Sequence, residues 1–375
     1  MVDRLIGGIS GGLLWIVAWG ASTCIAGGQE APVAAIAPAH RSGPDLQLQH
    51  ELPTDLLAPP YGGPATYEET ARLEKALTTA PDDFAAHIRL LVYYSGEGSR
   101  FERARAARLE HILWIVRNKP ESSIAGDAIC SPDPLDSDAM DLVKAAWDEQ
   151  VKKLPNSLSV SKNAAEFMGA YSPLSGIVAW KRVVRLAPDD SSAIFSVAQC
   201  YERQLMSSPS DWRVDVAHGA LTAYLEGVHR PMEVSRRGLV YWRIIMMAMD
   251  TRSFDIARQY AELSLKLTIK DVPRPIYDYL KFAANTALGR LAFRDGDIAV
   301  AKDYLKACAA TVPPFCEDRG LLSDLLRAGA TEDVIQFLDQ AITRTPGGSS
   351  EFRLWKSQIS GGAFPPGLLR FHEPI

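Results

Sequence analysis

Strand signals are scarce in this sequence, and the loops that sheet-built enzymes hang their chemistry on are missing with them. There is no GxxxxGK[ST] phosphate loop, no GxSxG nucleophile turn, no HExxH, and no GxGxxG following a strand. An excess of basic charge is missing too. Lys and Arg total 40 against 45 Asp and Glu, a net charge of −5, which leaves no electrostatic footprint for nucleic acid. Cysteine is sparse, and none of Cys24, Cys130, Cys200, Cys308 and Cys316 forms a Cys-x-x-Cys pair, so a zinc ribbon or a thioredoxin-type motif is not supported. Buried small apolar residues explain Cys130 and Cys200. Cys308 and Cys316 flank Pro313-Pro314, a spacing that leaves a local disulfide open beside the buried-thiol reading.

Charged and histidine residues do not assemble into a ligand set either. His87, His111, His218 and His229 are singles without Cys or His at ligand spacing, and no metal or cofactor is expected. Asp133, Asp136, Asp138 and Asp141 lack the glycine and terminal Glu of an EF-hand and read as a loop followed by a helix cap. Asp82-Asp83 and Asp189-Asp190 sit where helices begin, and capping with the helix dipole accounts for them. Trp114, Trp147, Trp180, Trp212, Trp242 and Trp355 come about one per structural unit and read as core filling, with a sugar-binding lining as the alternative.

What is present begins with an address. Leu5 to Gly28 carries no charge, Arg4 precedes it, and it runs from strongly apolar into small residues. Residues 1–26 are the layout of a secretory signal with cleavage after Ala26. Two other readings stand beside it. Residues 5–27 are long enough to stay as a membrane anchor, with Gly7/Gly11 and Gly8/Gly12 suited to close helix contact. Cys24 could instead carry a lipid. Each reading puts the body outside the cytoplasm: periplasmic, secreted or membrane-anchored. Residues 27–65 are rich in Pro, Ala and Gly and read as a linker.

From residue 66 onward the chain repeats. Pro81, Pro120, Pro155, Pro188, Pro231, Pro273, Pro313 and Pro346 follow apolar helical stretches at steps of 33 to 43 residues. Residues 75–94 align without gaps on 182–201. Proline has no N–H and clashes with the preceding turn, so it stops a helix. An adjoining Asp, Asn or Ser then caps the next one. Each unit therefore reads helix, turn, helix, stop. Such a hairpin cannot bury both faces alone and stacks on its neighbours.

These residues resemble the tetratricopeptide-repeat (TPR-like) family of bacterial extracytoplasmic proteins. Ala164 and Phe167 face Gly176 and Trp180 before Pro188; Ala198 and Tyr201 repeat the first-helix pattern. Leu288-Gly289, Gly296, Ala301 and Pro313 trace another unit, and Gly329, Val334, Leu338, Ala341 and Pro346 a third. The resemblance implies an all-α, right-handed α-solenoid of antiparallel hairpins over 66–350, closed by a C-terminal cap and tail at 351–375. It implies a non-catalytic scaffold for a protein or peptide partner in an extracytoplasmic assembly. A concave face lined by first helices would present Leu158, Ser161, Ala165 and Met168, then Ser192, Phe195, Gln199 and Glu202, then Ala283, Thr286, Arg290 and Phe293. The alternative for Phe195 and Phe293 is inter-layer core. The Lys/Asn/Arg cluster with which some members grip a peptide carboxylate is missing. Two other readings remain: an envelope-associated helical glycan-binding protein or enzyme, and a self-assembling subunit, a homo-oligomer built through exposed solenoid ends.

Overall fold

A computed structural model describes residues 66–96, 102–208, 210–311, 319–344 and 349–369. Among them the secondary structure is helical throughout and no strand occurs. Residues 1–65, read from sequence as an export segment and linker, lie outside the described residues, as do Pro313, Cys316 and Pro346. The chain divides into two compact units between Leu291 and Ala292, within the span read from sequence as one repeat domain.

The first unit holds α1 (Tyr67–Leu77), α2 (Phe84–Gly96), α3 (Glu102–Asn118), α4 (Ser137–Lys153), α5 (Leu158–Tyr171), α6 (Pro173–Leu186), α7 (Ser191–Ser207), α8 (Ser210–Val228), α9 (Val234–Asp250) and α10 (Phe254–Lys266). Helix α11 (Arg274–Arg294) follows, and two short 3-10 turns, Ser123–Gly126 and Ala128–Cys130, join α3 to α4. From α1 to α10 each helix packs on the next. That serial packing is compatible with an α-solenoid.

Local chemistry explains the punctuation. Pro81, Pro120, Pro155, Pro188 and Pro231 each fall between helices, and Pro273 immediately precedes α11. Capping groups follow them. The Asp83 carboxylate accepts from the Ala86 amide at 3.0 Å, the Ser157 hydroxyl from Val160 at 3.3 Å, and Asp190 from Ser192 at 2.9 Å. Asp136 caps α4 through the Ala139 amide at 3.1 Å, and Asp133 accepts from Leu135, so the acidic cluster there shapes a turn and a helix start. Ser172 with Pro173 at the first helical position opens α6 straight from the end of α5.

One apolar cluster runs through the first half of this unit. Ile88 and Leu91 on α2, Ile112 and Ile115 on α3, Val143 and Trp147 on α4, and Val160 and Phe167 on α5 are all buried in it. Trp147, Trp180 and Trp242 are buried, which bears out core filling; Trp212 is 70% exposed.

The second unit holds α12 (Ile298–Ala309), α13 (Gly320–Arg327), α14 (Thr331–Arg344), α15 (Ser349–Ser360) and α16 (Pro366–Leu369). Two of its described turns use glycines read as turn residues from sequence. Gly296 has φ 87° and Gly329 φ 79°, a region that L side chains enter only with strain. Asp297 then caps α12 through the Val300 amide at 3.0 Å. Helix α14 buries Val334, Phe337, Leu338 and Ala341, and Lys302 on α12 pairs with Asp333 at 2.8 Å. Trp355 is buried in α15.

Candidate functional site

Most positions expected on an open concave face are buried. Ser161 and Met168 on α5, Phe195 and Glu202 on α7, and Thr286 and Arg290 on α11 are all below 9% exposure, as are Ala165 and Ala283. Phe293 and Ser192 are half-buried. Only Leu158, at 36%, and Gln199 are exposed. For Phe195 the inter-layer alternative fits. It lies against α8, where a Cβ on Gly227 would come 2.4 Å from its ring, and beside Tyr224, ring centroids 6.1 Å apart. Cys308 is buried; Cys316, its proposed disulfide partner, lies outside the described residues.

Open side chains gather instead in a groove of about 370 Å³ over α6, α7 and α8. Its floor is apolar: Val184 from α6, Ile194 and Val197 from α7, and Ala223 from α8. Lys181 stands on one wall, and His218, Thr222 and Glu226 stand on the other, all exposed. Tyr201 lies across the groove, and Gly219 is what lets it do so. A Cβ there would come 2.5 Å from the Tyr201 ring. The Lys181 ammonium donates to the Tyr201 hydroxyl at 3.0 Å. These contacts set Lys181, Tyr201 and the His218-Gly219 turn at one level. Glu226 is eight residues further along α8, about 12 Å at 1.5 Å per residue. It pairs with Arg230 at 2.7 Å. The groove therefore has a cationic, hydroxyl-bearing end, an apolar middle and an acidic end. Beside the groove, the exposed face of α6 carries Leu174, Val178 and Arg185 in helical register with the groove's Lys181, apolar at one end and basic at the other.

Two polar clusters lie beneath the surface. In the first, Arg243 on α9 pairs with the buried Glu202 carboxylate at 3.3 Å and lies over the Trp242 ring, 4.5 Å from its centroid. The Tyr224 phenol is pushed well above its ordinary range, by burial first and by the Glu202 carboxylate next. In the second, His87 and His111 meet Nδ1 to Nδ1 at 3.0 Å between α2 and α3. Burial holds both imidazoles below their ordinary pKa. For His111 the neighbouring His87 adds to the effect and the value falls to about 4, whereas for His87 the Pro81 carbonyl and Asp83 act the other way.

In the sequence these histidines stand as singles, 24 residues apart. The signal that could have joined them is that each occupies an apolar-face position in successive helices of one hairpin. The groove side chains were missed for a related reason: they come from second helices and the far side of α7, whereas the expected site followed first-helix positions.

Among the described residues, no helix is long and apolar enough to cross a membrane. No protein-family model matches the chain, and no curated protein matches it.

Proposed function

We propose that this chain is a non-catalytic, TPR-like scaffold, a right-handed solenoid of helical hairpins that binds a protein or peptide partner outside the cytoplasm. The groove over α6, α7 and α8 carries this reading. It joins an apolar floor to polar groups of opposite character at its two ends, which suits a short extended or helical peptide laid across three consecutive helices. The proline-and-cap period and the serial helix packing support the repeat architecture. The uncharged stretch at residues 5–27 supports export and offers an attachment to the membrane.

The test is affinity capture from cell envelope with the full chain as bait. Three baits are compared: wild type, Lys181→Glu with Thr222→Arg in the groove, and a control pair on the exposed face of α4, Asp138→Lys with Leu142→Glu. Partner proteins retained by the wild type and the control but lost by the groove variant support the scaffold. A partner set indifferent to the groove variant rules out this site.

A second reading has two separate observations in its favour. The groove is at the low end of small-molecule site volumes, and Trp212, exposed on α8, could stack on a sugar. A glycan array on the same baits, with a signal lost on Trp212→Ala, would favour an envelope glycan-binding protein.

A further inference from the structure

In a serial helical array each element packs on its near neighbours, so one hairpin can open while the remainder holds. The α2–α3 hairpin carries a contact suited to controlling that opening. His87 is 7% exposed and His111 8%, and their Nδ1 atoms are 3.0 Å apart. The tautomers follow from a third atom. His87 Nε2 lies 2.9 Å from the Pro81 carbonyl oxygen, which can only accept. The His87 proton is therefore on Nε2, its Nδ1 is an acceptor, and His111 donates from Nδ1. The His87 ring stacks on Trp114 at 3.8 Å between centroids and 9° between planes; Tyr94 stacks on His111 at 5.9 Å and 15°.

This arrangement has room for two neutral rings and not for two cations. With both imidazoles protonated, N–H would face N–H at 3.0 Å in an aromatic enclosure. The surrounding charges do not offset that. Asp82 and Asp83, in the turn before α2, favour a charge on His87 but leave its pKa depressed. Glu74 on α1 is engaged by the Tyr94 hydroxyl, and Arg103 on α3 acts on that same hydroxyl. Arg89 on α2 is paired with Glu69 at 3.2 Å. On the 3-10 side, Asp127 and Arg108 act on Cys130. Helix α4 turns Gln150 toward the Arg117 carbonyl of α3, and its Lys144 and Asp148 pair with each other.

We propose that the His87–His111 contact is an acid-sensitive latch, which keeps the α2–α3 hairpin closed at neutral pH and lets it open as the surroundings acidify while α7 and α8 stay folded. The sign follows from proton counting. The closed pair binds fewer protons than open, hydrated histidines, so closure is fully present above the ordinary histidine pKa and weakens as pH falls below it. Opening uncovers Ile88, Leu91, Ile112 and Ile115, an apolar surface hidden at neutral pH.

Amide hydrogen exchange of the full chain from pH 7.5 to 4.5, corrected for intrinsic rates, tests this. The expected result is a loss of protection in α2 and α3 of about tenfold per pH unit for each proton taken up, beginning near pH 6.5, with α7 and α8 unchanged. The double variant His87→Phe, His111→Leu should show no such slope. If that variant fails to fold, the imidazole proton resonances of the wild type decide. Both rings remaining neutral through pH 6.5 in the closed form supports the latch. Titration of both near 6.5 with the hairpin still protected overturns it. Uniform loss of protection along the chain, or an unchanged slope in a folded double variant, overturns it as well. So does a shift of both imidazoles on adding zinc at pH 7.5 with a gain in protection, which would make the pair a metal site.

Discussion

Gly169 and Gly176 bring the backbones of α5 and α6 together: a Cβ built on Gly176 would lie 2.7 Å from the Gly169 Cα and 2.7 Å from the Cys200 sulfur. The first obstacle is backbone, and the second is the sulfur of a fully buried side chain. Gly176→Val should therefore force α6 away from α5 and α7 and destabilise the first unit by about 1–3 kcal/mol. Gly96, where a Cβ would meet nothing within 4 Å, provides the comparison. Gly96→Ala should stay within about 0.5 kcal/mol of wild type. Urea unfolding followed by circular dichroism measures both, and equal midpoints would mean that the two helices do not meet as described.

Asp190 performs two tasks that can be separated. Its carboxylate caps α7 through the Ser192 amide, and it pairs with Lys162 on α5 at 2.7 Å. Burial pushes its pKa up, but the Lys162 ammonium and the Ser192 groups outweigh that and bring it to about 2. Because the folded value lies below the ordinary one, its contribution is present above about pH 4 and is lost as pH falls toward 2. Asp190→Ala should cost about 0.5–2 kcal/mol through the lost cap. Asp190→Asn should keep most of the cap and remove this acid-dependent part. Thermal melting at pH 7 and pH 3 distinguishes them: the gap between wild type and the Asn variant should shrink at pH 3.

The two tasks of Asp190 also mark how far the sequence could be read. Pro188 with Asp189-Asp190 announces a helix stop and a cap, and the structure has both, because those effects act within a few residues. The turn glycines Gly296 and Gly329 were legible for the same reason. Which face of a helix ends up covered is a different question. Ser161, Glu202, Thr286 and Arg290 are polar, and polarity alone suggests solvent; their burial depends on helices far along the chain. Arg243, 41 residues after Glu202, is what allows a carboxylate to sit at 3% exposure. The His87–His111 contact was illegible on similar grounds: rings one hairpin apart meet only once α2 and α3 take a particular rotation and register.

That distant partner makes the Glu202–Arg243 pair sensitive to one-sided removal. Taking away Arg243 leaves a buried carboxylate that still needs a counter-charge. Arg243→Met should destabilise by about 3–5 kcal/mol. Adding Glu202→Gln removes the orphaned charge and retains a hydrogen-bonding side chain near Tyr224, so the double variant should recover part of the loss. A double-mutant cycle by urea unfolding gives the coupling directly. Additive single losses would mean that the two groups do not act as a pair.

Cys200 reports on the same helical layer without any substitution. It is fully buried, and its sulfur is 3.0 Å from the Arg203 guanidinium. That neighbour acts to acidify the thiol, yet burial dominates and its pKa is raised. Burial raises the Cys130 thiol as well. Neither thiolate forms in the closed structure at neutral pH, and thiolate is the species that attacks a disulfide reagent. Native protein at pH 7 should therefore leave Cys130 and Cys200 unlabelled by an aromatic disulfide reagent over hours, as read by peptide mass. Small amounts of urea should then expose them at rates that follow opening. If α5, α6 and α7 open together, Cys200 labelling and amide exchange in α6 will share one urea dependence. Rapid labelling of Cys200 in fully helical protein would instead show that the Gly169–Gly176 layer is loosely packed.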